Sequence, residues 1–97
     1  METVMEQPVP VPPVPVEDKP IEVGVVFQRA HARPVWFRWG RKRYDVHAVT
    51  HAWQERAARP GRAPAHHYAV AAAGNVFELR LNAETLQWSL GRVWSRS

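Results

Sequence analysis

The fold class is decided by residues 33–46, which read Arg33-Pro34-Val35-Trp36-Phe37-Arg38-Trp39-Gly40-Arg41-Lys42-Arg43-Tyr44-Asp45-Val46. Within this stretch Val35, Phe37 and Trp39 alternate with Trp36 and Arg38. Side chains of a β-strand point to opposite faces in turn, so this rhythm predicts a half-buried strand with one apolar face. The stretch therefore indicates a β-rich domain.

A hairpin is predicted at the end of that strand. Gly40 tolerates the positive φ that tight turns require, so residues 40–42 are expected to turn the chain. Residues 43–46 alternate again and form the predicted return strand. Before the hairpin, the β-branched run 21–27 predicts a first strand, and Arg33-Pro34 is expected to break the chain after it.

The back half of the chain predicts a meander of three strands. Residues 68–72 alternate up to Gly74-Asn75, a two-residue hairpin signal. Residues 76–81 alternate next, and Asn82 opens a second turn. Residues 86–94 form the last predicted strand, with a bulge expected at Gly91.

The middle of the chain admits two interpretations. Val46, Val49 and Trp53 recur at the spacing of an amphipathic helix, which would occupy residues 47–58. The same residues fit a bulged strand. Residues 59–64 contain two prolines and a glycine and are expected to form a loop in either case. The fold class that follows is mainly β, a small antiparallel meander or open barrel of five to six strands with at most one short helix.

Residues 1–19 are predicted to be a disordered arm. Prolines recur through residues 8–20, and because proline lacks an amide donor, extended polyproline II is the natural conformation there. The arm carries four carboxylates against Lys19, a net charge of −3. Residues 20–97, predicted to be one small basic domain, carry twelve Lys and Arg against five carboxylates, a net charge of +7.

Composition excludes several classes of protein. The 97 residues contain no cysteine, which rules out disulfides and thiolate metal sites. No apolar run approaches the roughly 20 residues that span a bilayer, and the first residues do not resemble a signal peptide. We therefore expect a cytoplasmic chain that does not enter a membrane.

The basic and aromatic hairpin is the main candidate site. Cations neutralise phosphates and exposed aromatic rings stack on unpaired bases, so an excess of both on one surface favours a nucleic-acid partner. Trp36 is the residue that distinguishes a nucleic-acid site from a merely solvated hairpin, because alternation places its side chain on the face opposite the apolar one. If the cations only solvate an exposed hairpin, no site exists there. The candidate nucleic-acid-binding residues are Trp36, Arg38, Arg41, Lys42 and Arg43.

Other chemistry finds little support. His47 and His51 would share one face of a helix and are weak candidates for a metal site. However, the general-base Glu of a metalloprotease helix is missing between them. The carboxylates are scattered, and no nucleophile elbow or phosphate-binding loop occurs. We expect no catalytic residues, no enzymatic activity and no cofactor.

The stretch 33–46, followed by Val49 and Trp53, resembles an uncharacterised bacterial family of small β-rich domains. That family shows a Pro-Val-x-Phe-x-Trp strand, a basic turn, a Tyr-x-Val strand and a following Trp. Its later Phe-Glu-Leu and Trp-x-Leu segments are matched by residues 77–79 and 88–90. In some bacteria, genes of such a family lie beside translesion-polymerase-like genes, so the resemblance implies a role associated with DNA. Residues 59–67 depart from the family pattern, which puts any function of that segment in doubt.

The sequence favours two alternative functions. The first is a non-enzymatic accessory module that contacts DNA or RNA, in DNA repair or replication, through the basic-aromatic hairpin. The alternative is a protein-protein interaction adaptor that uses an exposed aromatic patch or an open sheet edge and binds no nucleic acid.

Overall fold

The computed structural model describes residues 14–56 and 63–95, and for residues 14–19 it describes the backbone alone. All regular structure in these ranges is β. The strands are β1 (Val14–Pro20), β2 (Glu22–Gln28), β3 (His31–Trp39), β4 (Lys42–Asp45), β5 (Ala48–Glu55), β6 (Ala65–Ala72), β7 (Asn75–Asn82) and β8 (Trp88–Ser95).

The strands form two antiparallel sheets that follow chain order. One has the order β2-β3-β4, and the other has the order β1-β8-β7-β6-β5. Every pairing but one joins successive strands, and the exception pairs β1 with β8. The predicted mainly β antiparallel meander is thereby confirmed.

Two long runs of chain pass from one sheet to the other. Ile21 alone separates β1 from β2, and its amide donates to the carbonyl of Trp88 on β8. At the other crossing, Val46 donates to the carbonyl of Val35 and His47 donates to that of Ala71. The eight strands are thus six chain runs, two of them bent.

The β2–β3 hairpin was not predicted. Its turn is Arg29-Ala30, with φ of 51° and 66°, and neither residue is the glycine or asparagine that would signal such a turn. β3 also runs through Pro34 instead of stopping there, so the predicted break is wrong. The pairing slips at this point, because Gly24 faces Trp36 and Val25 faces Pro34, which leaves Val35 as an extra residue. A bulge is a position where a strand tolerates proline.

Residues 48–55 form a bulged strand, β5, and not the helix considered for residues 47–58. Val49 pairs with Val70 and His51 pairs with Ala69, so Thr50 is the extra residue of the bulge. The Thr50 hydroxyl donates to the carbonyl of Ala69 at 3.1 Å. Because the bulge interrupts the period of two, the apolar spacing resembled that of a helix.

The back half follows the predicted meander. Ala73 and Gly74 make the β6–β7 turn with φ of 50° and 79°. The Asn82 side chain accepts from the amides of Glu84 and Thr85 at 2.8 and 3.0 Å, which fixes the next turn. The pairing of β7 with β8 slips beside Gly91, as the sequence predicted.

The core lies between the two sheets. Its fully buried members are Phe37, Val70, Ala72, Phe77, Leu79 and Leu90. Phe37 joins the sheets, since its ring stacks on Tyr44 at 4.9 Å and meets Phe77 edge-on at 4.9 Å. Burial also raises the pKa of Tyr68, which packs at the margin of this cluster.

The proline-rich arm lies mostly outside the described residues, since residues 1–13 are not among them. Its last part, Val14–Pro20, is the edge strand β1. Proline is tolerated at a sheet edge because an edge strand can leave amide positions unpaired. The predicted loop 59–64 also lies largely outside, apart from residues 63 and 64.

Candidate functional site

The outer surface of the three-stranded sheet carries the predicted aromatic site. Trp36 lies opposite Gly24 on β2 and Asp45 on β4, and Arg38 lies opposite Glu22 and Arg43. Paired residues share a face, so these side chains project away from the buried Phe37. Beyond the β3 bulge, Arg33 and Val26 continue this surface. We call it the Trp36 face, and its residues are Glu22, Gly24, Val26, Arg33, Trp36, Arg38, Arg43 and Asp45.

Trp36 is half-buried and held from two sides. A Cβ atom added at Gly24 would lie only 1.9 Å from the indole Nε1, so the ring occupies the space that the missing side chain leaves. The guanidinium carbon of Arg43 lies 4.7 Å from the centre of the ring system. This cation–π contact covers the indole and presents an arginine to solvent. The indole is therefore a fixed platform with a planar cation on it.

The remaining cations divide between two surfaces. Arg38 and Arg43 form exposed ion pairs with Glu22 and Asp45, both at 3.3 Å. Arg41 lies in the β3–β4 turn, exposed at one end of the face. Lys42 pairs with Trp39, and its ammonium lies 5.1 Å from the ring of Tyr44, on the core side of the sheet. The structure thus groups Trp36, Arg38 and Arg43, and it separates Lys42 from them.

The histidine pair is not arranged as a helix would arrange it. His47 lies where the chain crosses between sheets, and His51 lies on β5 opposite Ala69. Because both residues belong to extended backbone, the four-residue spacing no longer brings their rings together. The part of the chain that the structure describes contains no group of three His, Asp or Glu side chains suited to a metal ion.

A different histidine, His67, is the centre of a buried polar cluster. It lies on the outer face of the five-stranded sheet and is 5% exposed. Its Nδ1 lies 2.7 Å from Oε2 of Glu78, and its Nε2 lies 2.8 Å from Oε1 of Glu55. When both nitrogens carry a proton, the ring donates one hydrogen bond to each carboxylate. Trp53 stacks on the imidazole with centroids 5.0 Å apart and planes within 5°.

This cluster borders a cavity of about 260 Å³, which we call the Glu78 pocket. It is lined by Trp53, Glu55, His67, Glu78, Arg80, Gly91 and Arg92. Glu78 is 6% exposed, and its Oε1 lies 3.6 Å from Nε of Arg92, beyond hydrogen-bond distance. Within the described ranges, Oε1 of Glu78 and Nε of Arg80 are buried without a hydrogen-bond partner. Such atoms are rare in folded proteins, and they mark this pocket as unusual.

The Glu78 pocket was not predicted from the sequence, because Glu55 and Glu78 lie 12 and 11 residues from His67 along the chain. The sequence did contain one signal that Glu78 lies near His67. The Ala73-Gly74 turn sets the β6–β7 register and pairs Glu78 with Ala69, so Glu78 is a diagonal neighbour of His67 on the same face. The position of Glu55 depends on the β5 bulge, which shifts the pairing of β5 with β6.

A larger cleft separates β5 from the first half of β3. Residues 31–34 of β3 pair only with β2, and β5 pairs only with β6, so each has one unpaired backbone edge among the described strands. The cleft between these edges has a volume of about 540 Å³. Its titratable lining consists of Arg33, His31, His47, His66, His67 and Tyr68, and no carboxylate takes part. We call it the β3–β5 cleft.

Comparisons with known proteins add no identity, since no family model, curated protein or solved structure matches the chain. No helix in residues 14–56 or 63–95 is long and apolar enough to cross a membrane.

Proposed function

We propose that this chain is a non-enzymatic cytoplasmic module that binds single-stranded nucleic acid on the Trp36 face, in DNA repair or replication. The observation that carries the proposal is the fixed indole of Trp36 under the guanidinium of Arg43, on the same face as Arg33 and Arg38. Unpaired bases stack on aromatic rings and on guanidinium planes alike.

The charges of the face suit a phosphate backbone. Three arginines on the face and Arg41 at its end stand against the carboxylates of Glu22 and Asp45. Both ion pairs are more than half exposed, and exposed pairs contribute only about 0–1 kcal/mol. Phosphates can therefore replace these carboxylates at little cost, which would release Arg38 and Arg43 for binding.

Salt dependence tests the proposal. Fluorescence anisotropy with a labelled dT12 oligonucleotide should give an affinity that falls as salt rises. Three to four neutralised phosphates imply a loss of roughly 15- to 60-fold between about 50 and 200 mM salt. Binding that does not respond to salt, or no binding to single-stranded DNA or RNA, would refute the proposal.

Variants of Trp36 separate stacking from charge. W36F keeps an aromatic ring and should retain most of the affinity for dT12. W36L keeps apolar bulk but removes the aromatic ring under the Arg43 guanidinium, so a base stacked on that guanidinium should be bound at least about fivefold more weakly, since one stacked base contributes about 1–3 kcal/mol. R38Q/R43Q should reduce the salt slope, whereas R29A, in the β2–β3 turn outside the face, should leave it nearly unchanged.

A second candidate function is an adaptor that binds an extended acidic peptide in the β3–β5 cleft. Two unpaired strand edges border the cleft, and its titratable lining is basic or neutral. An added strand would pair with such edges. An NMR titration with an eight-residue peptide of alternating Glu and Val should shift the amides of β5. Equal shifts with a Lys-Val peptide, or none with either peptide, would rule out this function.

A further inference from the structure

The Glu78 pocket contains a buried acceptor and a buried donor that have no hydrogen-bond partner among the described residues. Glu78 uses Oε2 to bind His67, while its Oε1 has no hydrogen bond. Nε of Arg80, a residue that also lines the cavity, has none either. Burying a polar group without a partner costs about 1–3 kcal/mol. A ligand that supplies both partners would recover that free energy.

Gly91 and Arg92 make the carboxylate reachable. A Cβ atom at Gly91 would lie 3.2 Å from the Glu78 carboxyl carbon, so the glycine leaves open the space beside this group. The Arg92 side chain lies over Oε1 but is 59% exposed. An exposed arginine can move away at little cost, because its ion pair is long and only partly desolvated.

The lining specifies a flat ligand with donors and acceptors on one edge. Trp53 is 42% exposed, and its indole already stacks on His67, so a ring that enters the pocket finds an immobilised aromatic neighbour. The carboxylate of Glu78 accepts N–H groups, whereas Arg80 and Arg92 donate to oxygen or ring nitrogen. A volume of about 260 Å³ is below the roughly 300 Å³ at which pockets for drug-sized ligands begin, so one ring system is the appropriate size.

We propose that the Glu78 pocket binds a guanine base, with N1–H and the N2 amino group both donating to Oε1 of Glu78 and with O6 or N7 accepting from Arg80 and Arg92. Guanine places two adjacent donors beside the O6 acceptor, and arginine is the commonest protein partner of O6 and N7. Adenine has no adjacent pair of donors to match the carboxylate, and cytosine offers only its N4 amino group.

For a guanine within single-stranded nucleic acid, this inference rests on the proposed function and adds base selectivity to it. The bent run of β4 and β5 carries both sites, with Arg43 on the Trp36 face and Trp53 and Glu55 in the pocket. One single strand that follows this run would contact the Trp36 face without regard to sequence and would place one base in the Glu78 pocket. Free guanine nucleotides offer the same base and are tested separately.

The experiment compares labelled dT9 oligonucleotides whose central base is guanine, hypoxanthine, adenine or cytosine. Guanine should bind about five- to tenfold more tightly than adenine or cytosine, with hypoxanthine between them because it lacks the N2 amino group. E78Q, which replaces an acceptor by an amide, should reduce the preference below about twofold and leave the affinity for dT9 unchanged. E84Q removes the same charge from an exposed turn and should keep the preference.

A second variant covers the case in which E78Q does not fold. G91A keeps the carboxylate but fills the space beside it, so the guanine preference should fall. Equal affinity for all four central bases would overturn the inference and leave the Trp36 face intact. If no oligonucleotide binds, the proposed function fails. An NMR titration that compares GMP with AMP then tests separately whether the Glu78 pocket binds guanine. Shifts of the Trp53 indole and Gly91 amide with GMP alone would support the inference, and no such shifts would overturn it.

Discussion

Gly24 determines where the indole of Trp36 lies. A methyl group at this position would fall inside the ring, at 1.9 Å from Nε1 and 2.2 Å from Cε2. A backbone without a side chain lets a large aromatic ring lie flat against a neighbouring strand. The position of the Trp36 indole therefore depends on Gly24 as well as on Trp36 itself.

G24A should destabilise the domain by about 1–3 kcal/mol, because the ring must move out of a packed position. Chemical denaturation followed by tryptophan fluorescence measures this loss. The double variant G24A/W36A should be about as stable as W36A, since the clash disappears with the indole. If G24A costs as much in the absence of Trp36 as in its presence, the clash is not the cause.

The bent run formed by β4 and β5 depends on two hydrogen bonds at the crossing. The amide of Val46 belongs to the three-stranded sheet, and the amide of His47, which donates to Ala71 at 2.8 Å, belongs to the five-stranded sheet. Two adjacent amides therefore connect the sheets. This arrangement also ends the pairing of β4 with β3 and starts that of β5 with β6.

H47P should lower the free energy of unfolding by at least about 1–3 kcal/mol, because it removes the donor and leaves the carbonyl of Ala71 unpaired. H47A keeps the amide and should cost little, since the His47 side chain is exposed. Thermal denaturation of the two variants side by side gives the comparison. Equal losses in H47P and H47A would show that the side chain, and not the amide, stabilises the crossing.

Strands with an unbroken period of two and the bulge at Gly91 were predictable, whereas the bulge at Val35 was not, and the bulged strand β5 could not be distinguished from a helix. Alternation from Val35 to Trp39 gave the correct face for Trp36, and the Gly74 turn gave the β6–β7 meander. The bulge at Thr50 shifted the apolar period of β5 toward that of a helix, and Arg29-Ala30 makes a tight turn without glycine. Tertiary packing stabilises both the bulge and the turn, and the local sequence contains no pattern that indicates this packing.

At the level of the complete fold, Phe37 is one of the side chains that join the sheets, since Trp39 and Tyr44 also contact Phe77. Phe37 is fully buried and contacts Tyr44 in its own sheet and Phe77 in the other. A domain of this size has a total stability of only about 5–15 kcal/mol. Removal of the Phe37 ring is therefore expected to destabilise both sheets at once.

F37A should lower the free energy of unfolding by about 3–5 kcal/mol, a large part of the total stability. F27A is a matched control, because Phe27 is 74% exposed at the end of the β2–β3 hairpin and should change stability by less than about 0.5 kcal/mol. Circular dichroism during urea denaturation measures both. A comparable loss from F27A would mean that the hairpin end packs against another surface in solution.

The candidate sites differ in how far the sequence could predict them. The Trp36 face follows from alternation within one hairpin, so local spacing was enough to find Trp36, Arg38 and Arg43. The Glu78 pocket combines β5, β6, β7 and β8, and two bulges set its register. Its residues are brought together only by the complete sheet.

The pairing of β1 with β8 has a mechanical consequence. Val14, at the start of β1, lies opposite Val93, near the end of β8, so a force that pulls residues 14 and 93 apart loads one pair of residues at a time. Strands loaded in this way peel like a zipper, whereas strands pulled along their length resist with all their hydrogen bonds at once. Under tension at these positions, β1 should detach first and at low force, and β5, β6, β7 and β8 would remain paired.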